Sequence, residues 1–218
     1  LTATYAKINV EYETDSQPLE SIKNQIEIGK YVSRFLHPKI KFSRWGLTPE
    51  NNNAITLRLS NELYFQRFKL SAEISGGIYA NLSASSDWIG GLKFGKEIFK
   101  NTSLEFGYNK DALIGTIAST RINLTKQDAH AALNYKNKYV FLNASVNRAI
   151  FEDGNFINTL AGWILSKPLK LYKFNFQVGY GYNFTDSDQI LFFYDNNGAG
   201  IYDPYFTPKE QEIHSGLF

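Results

Sequence analysis

Residues 173–184 read KFNFQVGYGYNF. Phe174, Phe176, Val178, Tyr180, Tyr182 and Phe184 occupy every second position, with Asn175, Gln177, Gly179, Gly181 and Asn183 between them. Side chains of an extended chain point alternately to opposite faces. This period of two therefore predicts a β-strand with one bulky apolar face and one face of amides and glycines. Six large side chains in a row need something apolar against them, and a row of amides needs water or hydrogen-bonding partners.

The same period recurs along the chain. Ala6, Ile8, Val10 and Tyr12 alternate with Lys7, Asn9, Glu11 and Glu13. Ile26 to Val32, Ile40 and Phe42, Ile55 to Leu63, Leu70 to Ile78, Leu92 and Phe94, Leu104 to Tyr108, Ala129 to Tyr135, and Val140 to Val146 repeat the pattern. With INTLAGWIL at 157–165 and EQEIHSGLF at 210–218, this predicts about twelve strands. QPLESIKNQIEIGKYVSRF is the one stretch that also reads as a helix, but its β-branched and apolar residues fit period two at least as well. The expected class is all-β.

Composition excludes several function classes. With no cysteine, disulfides and thiolate metal sites are ruled out. The net charge of +2 comes from interspersed acids and bases, so no basic stripe is present to displace counterions from nucleic acid. No run approaches the length of a transmembrane helix, and the mean hydropathy of -0.31 agrees. The chain begins at Leu1 without a charged-then-apolar leader, so a mature or trimmed form is expected.

The joins between predicted strands differ in length. Those after even strands are short: RFLHPK, YFQRF, FKNT, KNK and KPLKLYK. Those after odd strands are mostly longer: TDSQPLES, GLTPENNN, YANLSASSD, KDALIGTIASTRINLTKQD, FEDGN and TDSDQILFFYDNNGAGIYDPYFTPK. Barrels of the bacterial outer membrane have tight periplasmic turns, long outer loops, apolar outward faces and polar inward faces. The expectation is an antiparallel up-and-down transmembrane β-barrel formed by residues 1–218 as a single domain. A soluble β-sandwich or lipocalin-like barrel, with the apolar face as its core, is the alternative. On the barrel reading the glycines at 179 and 181 keep the lumen open or make room for a neighbouring side chain.

The second half carries a resemblance. NYKNKYVFLNASVNRAIFEDGN, KFNFQVGYGYNF and YDPYFTPKEQEIHSGLF resemble the C-terminal barrels of tetratricopeptide-repeat exopolysaccharide export porins, the cellulose and poly-N-acetylglucosamine exporters among them. Asp153, Gly154 and Asn155 match the turn of that family, and Tyr202, Asp203 and Pro204 match its loop motif. The resemblance covers roughly residues 100 to 218. It implies export of a polysaccharide by passive conduction through a polar lumen, in the outer membrane of a Gram-negative bacterium. Implied partners are outer-membrane lipid, the exported glycan, a periplasmic repeat domain and an inner-membrane synthase, with no nucleic acid and no cofactor. Family barrels have about sixteen strands, so a chain lacking its last strands is expected, a closed twelve-stranded barrel being the alternative. Stepping back by twos from Phe218 gives Gly216, His214 and Glu212; the more apolar parity is Leu217, Ser215 and Ile213.

Candidate lumen-facing residues are Glu11, Arg58, Glu62, Glu73, Lys93, Glu105, Asn143, Asn147, Asn175, Gln177 and Asn183, with Lys7 alongside. Both signs of charge are present, so the set does not choose between a cationic and an anionic polymer. Mouth-loop candidates are Phe193, Tyr194, Tyr202, Asp203, Pro204, Tyr205 and Phe206, together with Phe192. Such an aromatic loop is a liability in water, and packing over the barrel mouth explains it; flat rings also suit the apolar faces of sugars. Asp186, Asp188, Asp195, Asn197 and Asp203 are oxygen donors that do not match a calcium loop, and solvated loop carboxylates account for them.

No catalytic constellation emerges. His37 sits beside Pro38 in a turn, His130 is on a polar strand face, and His214 is near the end, without zincin spacing. Asp111, His130, Asp186 and Asp188 are the residues from which an outer-loop enzyme site would be built, and nothing in their spacing sets them apart. The reading is therefore not an enzyme. Its alternatives are a general porin, a surface-protein secretion barrel and, from another class, a soluble carbohydrate-binding β-domain.

Overall fold

A computed structural model describes residues 3–14, 20–33, 35–48, 52–81, 86–113, 124–171, 174–190, 193–194, 201–202 and 207–217. The strands are β1 (Ala3–Thr14), β2 (Glu20–Tyr31), β3 (His37–Thr48), β4 (Asn52–Phe65), β5 (Leu70–Asn81), β6 (Ser86–Phe99), β7 (Thr102–Ala112) and β8 (Thr125–Lys136). They continue with β9 (Val140–Phe151), β10 (Phe156–Ser166), β11 (Leu169–Leu171), β12 (Phe174–Phe176), β13 (Gly179–Ser187), β14 (Phe193–Tyr194), β15 (Ile201–Tyr202) and β16 (Gln211–Leu217). Twelve of them form one antiparallel up-and-down sheet in the order β1 to β10, then β13 and β16. The pairs β11–β12 and β14–β15 are separate small hairpins.

Register fixes the faces. Ile8 lies opposite Ile26, Ile26 opposite Phe42, Phe42 opposite Leu57, and Leu57 opposite Ile78. Further along, Phe94 faces Phe106, Phe106 faces Ala131, Ala131 faces Val146, and Val146 faces Leu160. This one continuous face is exposed: Ile8 is 78%, Ile74 55% and Val146 52% accessible. The opposite face bears Glu, Lys, Arg, Asn and Ser. The apolar rows are thus the more exposed ones, the reverse of a soluble sheet over its own core.

The sheet curls with the polar face inside. Arg58 Nη2 on β4 lies 3.1 Å from Asp111 Oδ2 on β7, although three strand spacings of about 4.8 Å would hold flat neighbours roughly 14 Å apart. Two small apolar clusters occupy this concave side: Ala54, Tyr79 and Ile89 with Trp45 and Ala112, and Leu124, Ala149 and Phe151 with Leu113 and Ile157. Both lie toward the end of the sheet that carries the 113–124, 152–155 and 188–210 connections.

Turn chemistry follows the residues. Asn137 Oδ1 accepts from the N–H groups of Tyr139 and Val140, closing the β8–β9 turn. Lys69 and Asn101 take left-handed φ values of 47° and 71° after the β4 and β6 ends. In the β9–β10 turn Asp153 Oδ1 accepts from Asn155 N–H, and Gly154 adopts φ 85°, where a Cβ is strained.

Four expectations need correction. Residues 173–184 do not form one strand, because Gln177 and Val178 interrupt it. Gln177 Nε2 donates to the Ser166 carbonyl and Ser166 Oγ accepts from the Val178 N–H, so side chains take over part of the ladder there, while Ser166 N–H still donates to the Val178 carbonyl. KPLKLYK is accordingly not a plain short turn but contributes a strand to the β11–β12 hairpin. Loop asymmetry is also smaller than expected, since β3 runs to Thr48 and β4 begins at Asn52, absorbing most of GLTPENNN. Finally, register sets His214 opposite Tyr182 and Glu212 opposite Phe184, while Ile213 and Ser215 lie on the polar side. The Tyr180 hydroxyl is 2.6 Å from His214 Nδ1, and the Tyr182 hydroxyl donates to Glu212 at 3.3 Å, which gives that polar parity its partners.

Candidate functional site

The polar concave face is the only long array of chemistry-bearing side chains among the described residues, and alternation positions every member. Along β1 and β2, Glu11 pairs with Lys23 at 2.6 Å, and Glu27 accepts from the Tyr5 hydroxyl at 2.9 Å with Lys7 4.0 Å away. Across β3, β4 and β5, Glu62 holds Lys39 at 3.1 Å and His37 at 3.4 Å, and Lys39 also reaches Glu73 at 4.0 Å. Glu105 on β7 pairs with Lys93 at 2.9 Å and meets His130 Nε2 at 3.3 Å. Lys126 pairs with Asp128, to which Asn147 donates. On β9 the face changes from charge to amide, as where Asn143 Nδ2 donates to Asn134 Oδ1, and β10 brings Ala161, Trp163 and Leu165 to the same side.

Glycines on this face serve as sockets. The space a Cβ would occupy at Gly181 is filled by the Trp163 ring at 2.5 Å, at Gly179 by Leu165, at Gly107 by the His130 ring and at Gly29 by the Tyr5 ring. A bulky side chain thus lies flat over the facing strand instead of projecting into the concavity, so the glycines make room for a neighbour. Two hollows result. One of about 590 Å³ is bordered by Glu73, Lys93, Lys126, Asp128, His130 and Asn147. The other, of about 210 Å³, is bordered by Lys23, Lys41, Ser43, Trp45, Arg58 and Asp111.

The candidate residues fall as follows. Glu11, Arg58, Glu62, Glu73, Lys93, Glu105, Asn143, Asn147 and Asn183 share the polar face by register. Gln177 sits in the break before β13 and bonds Ser166. Asn175 belongs to the β12 hairpin strand, and its side chain lies outside the described residues. Of the mouth loop, Phe193 and Tyr194 pair with Tyr202 and Ile201 as a short hairpin, whereas Phe192, Asp203, Pro204, Tyr205 and Phe206 lie outside the described residues, as do Asp195 and Asn197. The loop base is anchored: Ser187 donates from both N–H and Oγ to Pro208 O, and buried Asn155 donates to Gln189 O while accepting from Gln189 N–H. Asp186 lies opposite Asn158 on the other face, away from His130, so the structure assembles no Asp–His group from those candidates.

Sequence reasoning missed Lys23, Lys39, Lys41, Ser43, Lys126 and Asp128. The signal was available, since each lies one step out of phase with an apolar row such as Ile40 and Phe42. It passed over Asn155 as a structural anchor, because that role depends on a contact with Gln189, far away in the chain.

The chain matches no protein-family model, no curated protein and no solved structure.

Proposed function

We propose that this chain is a transmembrane β-barrel wall of a bacterial outer membrane, whose polar concave face is a conduit for an exported polysaccharide. The observation that carries the reading is the inversion of the two faces, sustained from β1 to β9 and present again on β13. Apolar rows are exposed while ion-paired and amide rows line the concavity. In hydrocarbon the apolar rows need no cover, which fits this arrangement, and the β1 and β16 edges, unpaired with each other among the described residues, are where the wall has to close. On β9 the apolar row runs from Val140 to Val146 before Arg148 interrupts it, and on β3 Ile40 and Phe42 precede Arg44. The six steps from residue 140 to residue 146, at about 3.3 Å each, span roughly 20 Å, the order of the apolar band of such barrels.

Glycan as the cargo draws on the likeness of residues 100–218 to tetratricopeptide-repeat exporter barrels and on the chemistry of the face. Amides, hydroxyls and half-exposed ion pairs exchange hydrogen bonds with sugar hydroxyls without a deep trap, so a polymer slides. Direction is supplied by synthesis elsewhere, through an inner-membrane synthase and a periplasmic repeat domain as partners. The test is twofold. The purified chain should require detergent micelles or lipid to stay monodisperse and β-rich, and it should open discrete conductances in planar bilayers. A chain that is monodisperse and folded in plain buffer would replace this reading with the soluble carbohydrate-binding domain.

A further inference from the structure

The smaller hollow on the concave face holds an imbalance that the ion pairs around it do not cancel. Its volume of about 210 Å³ is room for several waters. Lys23 is neutralised by Glu11 at 2.6 Å. Arg58 Nη2 is 3.1 Å from Asp111 but out of line for a hydrogen bond, leaving it buried without one. Lys41 faces Glu27 by register, yet Glu27 is engaged by Tyr5 and Lys7. Among the described residues no carboxylate lies within ion-pair distance of Lys41. Ser43, on the same strand, is 1% exposed and its hydroxyl has no partner.

Buried polar groups in folded proteins find partners, and a buried cation without one is costly. Here a half-buried ammonium without an ion pair, a guanidinium nitrogen that touches Asp111 without a hydrogen bond, and a buried hydroxyl without a partner line one hollow, and all three can donate. Carboxylates are the small anions that such donors hold by charge-assisted bonds. Trp45 forms part of the same wall and offers a flat apolar surface, and Thr56 adds a second hydroxyl.

We infer that this hollow binds the carboxylate of an acidic sugar unit. Lys41 and Arg58 take the carboxylate, Ser43 donates to it, and Trp45 lies against the sugar ring. Asp111 opposes it by competing for Arg58. The inference rests on the concave face being a glycan path, and it makes the cargo, or part of it, uronic.

The experiment titrates D-glucuronate, D-glucose and acetate into the full chain in detergent micelles, read by tryptophan fluorescence and calorimetry. Glucuronate should bind, with glucose and acetate each weaker by at least tenfold. Lys41→Gln should weaken glucuronate binding about tenfold or more. Asp111→Asn, which frees Arg58, should tighten it severalfold, a change of sign that general damage to the fold does not produce. No glucuronate signal from the β-rich wild-type chain would overturn the inference, as would Lys41→Gln binding like wild type or Asp111→Asn binding no tighter. Glucose or acetate matching glucuronate would do so as well. Binding is measured without a bilayer, so a chain that binds glucuronate but opens no conductance contradicts the conduit alone.

Discussion

Replacing Val146 by Arg sets the two faces against each other. Val146 sits near the middle of β9, between Ala131 on β8 and Leu160 on β10, all on the apolar face, and it is 52% exposed. Because the side chain is already half out of the sheet, Arg there creates no clash, and the energetic effect comes from what the face touches. Against water, an exposed substitution of this kind changes stability by about 0.5 kcal/mol or less. Against hydrocarbon, Arg near the midplane costs about 2–4 kcal/mol, which is roughly 30- to 900-fold in the unfolding equilibrium. The control is Asn147→Arg, one residue along, on the polar face beside Asp128, to which Asn147 Nδ2 donates. There the guanidinium has a carboxylate and a wet hollow, and the change should be small. Urea titration of both variants refolded into phospholipid vesicles, followed by tryptophan fluorescence, measures the difference. Equal destabilisation by the two substitutions, or none from Val146→Arg, would refute a lipid-facing row.

Three further outcomes follow from the packing. Gly181→Ala drives a Cβ into the Trp163 ring, 2.5 Å from its place; it should cost about 1–3 kcal/mol, and pairing it with Trp163→Ala should recover part of that loss in a double-mutant cycle. Asn155→Ala removes the side chain that accepts from Phe156 and Gln189 N–H groups in a buried site; a loss of about 1–3 kcal/mol is expected in the same titration, with faster proteolysis at the base of the 188–210 connection. Deleting residues 191–206 leaves the Ser187–Pro208 and Asn155–Gln189 anchors in place; single-channel conductance should rise while the chain stays β-rich, and unchanged conductance would remove the loop from the path.

Strand existence was legible because period two is local: Ile40 and Phe42 against Lys39 and Lys41 declare both a strand and its faces without reference to any other segment. The break at Gln177 was not legible, since it depends on Ser166, a residue from the preceding strand, offering its hydroxyl and carbonyl out of the ladder. The parity of β16 was misjudged for a related reason. Glu212 and His214 look wrong for an apolar row until register brings the Tyr182 and Tyr180 hydroxyls beside them. The 179 and 181 glycines were read as sockets or spacers, and only the cross-strand positions of Trp163 and Leu165 decide for sockets. The Lys41 and Ser43 hollow was illegible for a similar cause, because its acidic wall comes from Asp111, brought over by the curl of three intervening strand spacings.

The central claim is that one face of the sheet meets lipid and the other meets water, and β9 offers the most direct test of it. The chain contains no cysteine, so single cysteines carrying a nitroxide can be placed in turn at positions 141 to 147 in lipid-reconstituted protein. Collision rates with dissolved oxygen, which concentrates in hydrocarbon, and with a water-soluble nickel chelate are then compared. The account predicts strict alternation, with oxygen access highest at 142, 144 and 146 and nickel access highest at 143, 145 and 147. High nickel access at 142, 144 and 146 would place the apolar row in water and contradict it.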